Sequence, residues 1–570
     1  MKLFKYCLPF AALALLASCS DNNIDAPAGG EQAPEVEGDA MFLSVNVGLP
    51  TSAGTKAPSL GDYDPGTTNE YAINDITLYV FEWDGTGTPE KNATYFDTAD
   101  LGYSLDEDAP EKSDITETYK ATFQISSIKL QAGDEGLETV NGKDYYGLLV
   151  VNKPTNFTAP STGTFADWNK TPIVSASTGS DATDVMITNG YFFMSNAPQA
   201  DDETASILVK LDVSKFATSP KLATAAAAQF YVQRGVAKLT IKAEGEDGFE
   251  GIQVKDGPLT TDVTDDTVDI TAWALDLTNE AEFYVQNVDD YTSSWFGIGE
   301  AADDNYFIAQ KGSQGLIDHI WWGIDPNYSK YQTGSGTSYE DNLNKITTTE
   351  LVENDPEETT SAYLLENTTK YDNMLKSNVT RVIFKATYNI NGEAPDLNTY
   401  SGFAVYNDKA YPVETNDLKE GLTPAGQKYA LQDLIKTDDD NETLEKYRSA
   451  LAMGNYTQEV LFYPSFETYY VAYVRHFNDD ETPLTDGQKA DLSALNTTDN
   501  NYNENQTGRY GILRNNSYVM NIKAVFGFGT PTIPPTPDDP VDKEDPTKYN
   551  AIVEMNILNW AVRESNYIPR

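Results

Sequence analysis

Near the end of the chain an amphipathic strand is held apart from everything that precedes it. Residues 549–562, YNAIVEMNILNWAV, place Ala551, Val553, Met555 and Ile557 on one face and continue into Leu558, Trp560 and Val562. Before them runs TPTIPPTPDDPVDKEDPTK, 530–548, a linker whose proline and acid content argues against a packed core. A lone strand leaves a row of apolar side chains and unpaired backbone groups exposed, so it must join a sheet. Nineteen residues with six prolines favour extended polyproline II, giving a reach on the order of 50 Å. Whatever the chain folds into must therefore contain a sheet that accepts this strand, and the tether lets that sheet belong to a neighbour.

The other end carries a matching segment. In 41-MFLSVNVGLP-50, Met41, Leu43, Val45, Val47 and Leu49 alternate with Phe42, Ser44, Asn46 and Gly48 until Pro50 ends the run. LSVNV (43–47) and VEMNI (553–557) share one code: apolar, polar, apolar, Asn, apolar. Either segment suits a slot made for the other, and β-strand addition between copies is the expected consequence. The simpler alternative is that both are ordinary strands of one body, since alternation over five residues is common.

Between these ends the chain reads as mostly β. Strands are expected at 73–83, 119–130, 144–153, 190–196, 205–213, 230–245, 458–477 (broken at Pro464) and 517–528, with turns rich in Gly, Asn, Asp and Thr. This spacing suggests a β-sandwich, with a domain boundary near 245 and a bulge at Gly235. Two helices are expected in the second half. One spans 423–436 with Thr423 as N-cap. The other spans 441–454, capped by Asn441, with Leu444, Tyr447 and Leu451 on one face and Gly454 ending it.

The N-terminal sequence gives an address. Lys2 and Lys5 precede the apolar stretch Leu8 to Leu16, and Leu16-Ala17-Ser18-Cys19 resembles a bacterial lipobox, which would lipidate Cys19. A plain signal-peptidase site beside an incidental cysteine is the alternative. Residues 1–18 are thus expected to be a lipoprotein signal peptide and 19–40 a disordered tether, on an exported and initially membrane-anchored chain.

The search for chemistry returns little. A formal net charge of -49 excludes ordinary phosphate-backbone binding, so no nucleic acid partner is expected. Cys7 and Cys19 are the only cysteines, and His319 and His476 the only histidines, which leaves no disulfide framework or Cys/His metal centre in the body. The acidic runs 437-TDDDNE-442 and 478-NDDE-481 lack EF-hand spacing and read as solvated loops rather than calcium sites. Trp321 and Trp322 form a candidate sugar-stacking surface, with buried aromatics the commoner outcome. No enzyme, metal site or cofactor is expected.

Several stretches, taken in order, resemble the Mfa-type fimbrillins, the major stalk subunits of type V pili in Bacteroidia. They are the lipobox, 73-INDITLYVF-81, 145-YYGLLVVNK-153, VQRGVAKLTIK at 232–242, 467-ETYYVAYV-474, 512-ILRNNSYVMNIKAVFGFG-529 and 553-VEMNILNWAV-562. The resemblance implies a mainly β fold of two transthyretin-like sandwich domains, 41–245 and 246–529, with short helices in the second. It also implies lipoprotein export to the outer membrane with the modification (palmitate included) at Cys19. A surface protease then removes 41–56, and the C-terminal strand 549–570 of the next copy fills the vacated groove. Other copies head-to-tail, anchor and tip subunits, and the outer membrane before maturation are the implied partners. An extracellular fimbrium serving adhesion and biofilm formation is the implied product. Relatives are cut after an arginine, but the first arginine here is Arg234; Lys56, before Ala57, is the one basic residue between Lys5 and Lys91 and is the expected processing site. The competing readings are a monomeric glycan-binding surface lipoprotein and an accessory or tip fimbrial subunit.

Overall fold

The computed structural model describes residues 41–48, 67–100, 118–125, 127–133, 136–177, 179–201, 204–217, 223, 227–255, 263–288, 307, 318–320, 322–328, 343–346, 354–356, 360–422, 428–477, 482–485, 502–536, 541 and 551–559. Cys19, Leu49, Lys56, Ala57, Trp321, Trp560, Val562 and the acidic run 478–481 lie outside them, as do the expected signal peptide and N-terminal tether.

The fold is mainly β, as expected, and is built around two large sheets. The N-terminal sheet uses β1 (Met41–Gly48), β2 (Ile76–Trp83), β3 (Thr94–Asp100), β4 (Thr118–Ile125), β5 (Asp144–Val151), β6 (Met194–Asn196), β7 (Phe216–Ala217) and β8 (Ala228–Arg234). Its order is β4-β1-β8-β6-β5-β2-β3, with β7 beside the start of β1. Leu78, Val80, Phe81, Leu148, Leu149 and Phe230 are wholly buried in its core. Short helices occur in this half too, including α1 (Thr68–Tyr71).

The C-terminal sheet runs β12-β9-β19-β10-β11-β13-β18. Its strands are β9 (Ala237–Ala243), β10 (Ile252–Lys255), β11 (Val263–Asp276), β12 (Ser361–Leu364), β13 (Arg381–Asn389), β18 (Glu467–Tyr473) and β19 (Asn516–Phe526). Between β13 and β18, which pair directly, residues 390–466 leave the sheet to form a lobe with a sheet of its own, packed on the C-terminal core through Phe403, Tyr463 and Phe466. The lobe holds an antiparallel sheet of β14 (Tyr400–Tyr406), β15 (Lys409–Glu414), β16 (Lys428–Ala430) and β17 (Glu459–Pro464). It also holds helix α2 (Glu442–Ala450).

Local expectations meet the structure unevenly. Leu444, Tyr447 and Leu451 are buried together as their spacing requires. Asn441 occupies the N-cap position in a left-handed conformation but makes no side-chain cap. Asp438 does that work instead, accepting from the Thr443 amide at 3.0 Å and its hydroxyl at 2.7 Å, which holds its carboxyl below the usual range. The helix stops before Leu451, three residues short of Gly454. The helix expected at 423–436 is, over its described part, strand β16 followed by one turn, Leu431–Leu434. The chain breaks after Pro464 as expected, with Ser465 and Phe466 at φ of 52° and 61°.

Gly235 is not a bulge. β8 belongs to the N-terminal sheet and β9 to the C-terminal one, so Gly235 and Val236 carry the chain between them, ahead of the boundary expected near 245. A Cβ on Gly235 would stand 2.8 Å from Met186 Sδ, which explains why a glycine sits at this crossing.

Candidate functional site: a strand slot and a tail strand

The first strand is an interior strand. Its residues 41–48 pair antiparallel with all of β4, from Met41↔Ile125 to Gly48↔Thr118. On the other side Phe42 and Leu43 pair with β7, and Val45 to Gly48 run parallel to β8. Leu43 and Val45 are wholly buried among Ala121, Phe123, Ile125 and Phe230, which is worth roughly 1.5–3 kcal/mol for each side chain. The opposite face is not simply solvent. Ser44 is also buried, and its hydroxyl lies 2.5 Å from that of Thr122. Removing β1 would thus leave a groove with two unpaired backbone edges, two apolar pockets and one hydroxyl position.

The tail is placed differently. Residues 551–559, β20, pair antiparallel with β19 of the same chain, Asn516↔Asn559 through Val525↔Ala551, with an irregularity between Ile522 and Ala524. The other side of β19 is taken by β9 and β10, so β20 adds an outer strand, hydrogen-bonded along one edge. Ala551, Val553, Met555, Ile557 and Leu558 all fall within this strand.

The linker is less free than its composition suggests. Pro534 and Pro535 carbonyls accept from Arg381 at 2.7 and 3.4 Å, and Arg381 pairs with buried Asp276 at 2.7 Å. Val541 is fully buried, donating its amide to Met374 O and accepting from the Tyr502 hydroxyl at 2.7 Å. The reading of 530–548 as foreign to any core therefore fails at Val541: one small apolar residue among prolines suffices to fill a pocket. With Val541 held, residues 542–550 span about 28 Å if extended.

A polar seam joins the N-terminal half to the C-terminal sheet. The wholly buried Glu70, on α1, accepts from the Tyr363 hydroxyl at 2.6 Å and pairs with Lys238 Nζ at 3.0 Å. Its second oxygen accepts from the Thr67 amide at 2.9 Å, and its backbone carbonyl accepts from Arg234 Nε at 2.6 Å. Lys238 and Tyr363 face each other across β9 and β12, so a helix of one half is fastened to the sheet of the other. Nearby, Arg514 lies between Glu282 and Glu366, at 2.8 Å from the latter, with no exposure at any of the three side chains. Burial pushes Glu282 well above the carboxylate range against the pull of Arg514, and it pushes Asp325 up to about 7 despite three backbone amide donors. None of these residues was singled out from sequence: they are far apart in the chain and follow no period.

Trp322 does not form a sugar platform. It is wholly buried, packed with Phe307, His476 and Phe477. His476 is buried too, its Nδ1 2.8 Å from the Tyr518 hydroxyl.

Residues 492–566 match the family model of the C-terminal region of fimbrillin, the major fimbrial subunit protein type IV. The match takes in β19, the linker and β20. No curated protein matches the chain. Among solved structures, a candidate cell adhesion protein of Parabacteroides distasonis aligns over 92% of this chain and 97% of its own, at 13% identity and a TM-score of 0.35. The C-terminally truncated tip fimbrial protein Mfa3 of Porphyromonas gingivalis aligns over 91% and 100%, at 10% identity and a TM-score of 0.30. Scores this low leave the C-terminal match as the informative one.

Proposed function

We propose that this chain, which carries a fimbrillin C-terminal region, is over its whole length an Mfa-type stalk subunit that polymerises by donor-strand exchange. The precursor is exported as a lipoprotein through Cys19, trimmed between Lys56 and Ala57 by a surface protease, and emptied of β1. The β20 strand of the next copy then fills the slot, and head-to-tail repetition yields a fimbrium for adhesion, ending at anchor and tip subunits.

The observation that carries this reading is the unequal pairing of the two matching strands. Among the described residues β1 is hydrogen-bonded along both edges and β20 along one. A tail strand that leaves β19 for a vacated slot gains a second row of backbone bonds at about 1 kcal/mol each, together with two apolar pockets. The tail's seat on its own β19 is then the resting state of an unassembled copy. A terminal strand with a donor's code also favours stalk over tip. The monomeric glycan-binding reading has lost the Trp322 half of its platform.

The test is to express residues 57–570 and 57–548 and run both on gels without boiling. The longer form gives a ladder and the shorter stays monomeric. If both remain monomers after long incubation, the tail belongs to its own body and the polymer reading fails.

A further inference from the structure

Building on the donor-strand reading, we infer the register of exchange: residue 554 of the incoming copy takes the place of Ser44, opposite Thr122 of the acceptor, so that 553–557 overlay 43–47. The slot asks for an apolar residue at position 43, a polar one at 44 and an apolar one at 45, because Leu43 and Val45 are wholly buried while Ser44 meets the Thr122 hydroxyl. Along the described tail, two triplets satisfy this: Val553-Glu554-Met555 and Met555-Asn556-Ile557. A slip by one residue turns every apolar residue to the wrong face.

The next two positions separate the candidates. Asn46 and Val47 are matched by Asn556 and Ile557 in the first register, and by Leu558 and Asn559 in the second, which inverts them. Position 44 is closed in this chain, where Ser44 is wholly buried, but Thr122 opposite it is half-buried and Gln124 beside that is exposed, so the longer Glu554 side chain has water within its reach along β4. The hydroxyl pair makes Thr122 a polar mark on β4, among the described side chains, that the vacated strand used, and position 554 is where the donor meets it.

The chain makes the test clean, since Cys7 and Cys19 are its only cysteines and both lie ahead of the expected cut. Fibres are assembled on cells from a mixture of two full-length variants, one carrying Thr122→Cys and the other Glu554→Cys. In parallel, Thr122→Cys is mixed with Asn556→Cys. Hydroxyl oxygens 2.5 Å apart mark a pair of Cβ atoms close enough for a disulfide. Under mild oxidation the 122–554 mixture gives a crosslinked dimer of the two variants and the 122–556 mixture does not. A dominant 122–556 crosslink, or fibres that form with neither crosslink, overturns the register while leaving strand exchange standing. Absence of fibres from the unsubstituted chain overturns strand exchange, and the register with it.

Discussion

Replacing Glu70 by alanine removes a carboxylate to which both halves of the molecule are tied. The Lys238 side chain is 11% exposed and Glu70 not at all, so the deletion takes a carboxylate away from a nearly buried ammonium and an acceptor from the Tyr363 hydroxyl and the Thr67 amide. Breaking a buried pair from one side costs about 3–5 kcal/mol, and the residual exposure of Lys238 argues for the lower end. Glu70→Gln keeps the acceptor oxygen and loses the charge, for about 1–2 kcal/mol. Lys238→Met alone removes the ammonium and leaves the buried carboxylate with the Tyr363 hydroxyl and the Thr67 amide, for a cost somewhat below that of Glu70→Ala. The double variant Glu70→Leu/Lys238→Met removes both charges and recovers most of the loss, leaving a coupling of about 2 kcal/mol or more. Urea unfolding followed by tryptophan fluorescence supplies the free energies, with proteolytic cutting ahead of β2 as a local readout, since a chain of 570 residues need not unfold in one step. A Glu70→Ala loss below about 1 kcal/mol, with the double variant simply additive, would show that Glu70 is not the fastening point described above.

Asp325→Asn flattens part of the pH dependence of stability. In the folded chain its carboxyl is raised from 3.8 to about 7, so the folded state holds the proton more tightly than the unfolded one. This group's contribution is therefore full below pH about 4 and falls as pH rises toward 7, by at most about 4 kcal/mol, and urea midpoints against pH for both proteins display the difference. Val541→Asp places an unpaired charge in a dry pocket and releases the linker, seen as faster proteolysis within 530–548 with little change in the unfolding midpoint of the body. Lys56→Ala abolishes or moves the trimming site, and the N-terminal residue of protein recovered from the cell surface decides it; a normal Ala57 terminus refutes the assignment.

The strands were legible because alternation reports directly on a half-buried pleat, as in β1, where Leu43 and Val45 went inside. That pattern cannot say how many edges a strand shares: among the described residues β1 is paired along both of its edges and β20 along one. Leu444, Tyr447 and Leu451 betrayed their helix by spacing, while its cap, Asp438, lies outside the usual window and was missed. The 423–436 segment was misread because good helix formers were weighed without β17, whose pairing with Lys428–Ala430 holds that stretch extended. Val541 was hidden by its company of prolines and acids, and Trp322 took the commoner of its two outcomes, burial, which adjacent tryptophans do not reveal in sequence. The seam was illegible in principle. Glu70, Lys238 and Tyr363 become neighbours only once two sheets have formed and met.

The lobe at 390–466 leaves and re-enters the C-terminal sheet between two strands that are already partners, Thr387 standing opposite Glu467. In a fibre built by the proposed exchange, tension would run from slot to seam to β19 and the tail, and the lobe, which leaves and re-enters at one place, would stand beside that line. Loops of the lobe away from Phe403, Tyr463 and Phe466 could then change length and chemistry without weakening the thread, so such a filament would vary what it presents to the outside while its mechanics stay the same.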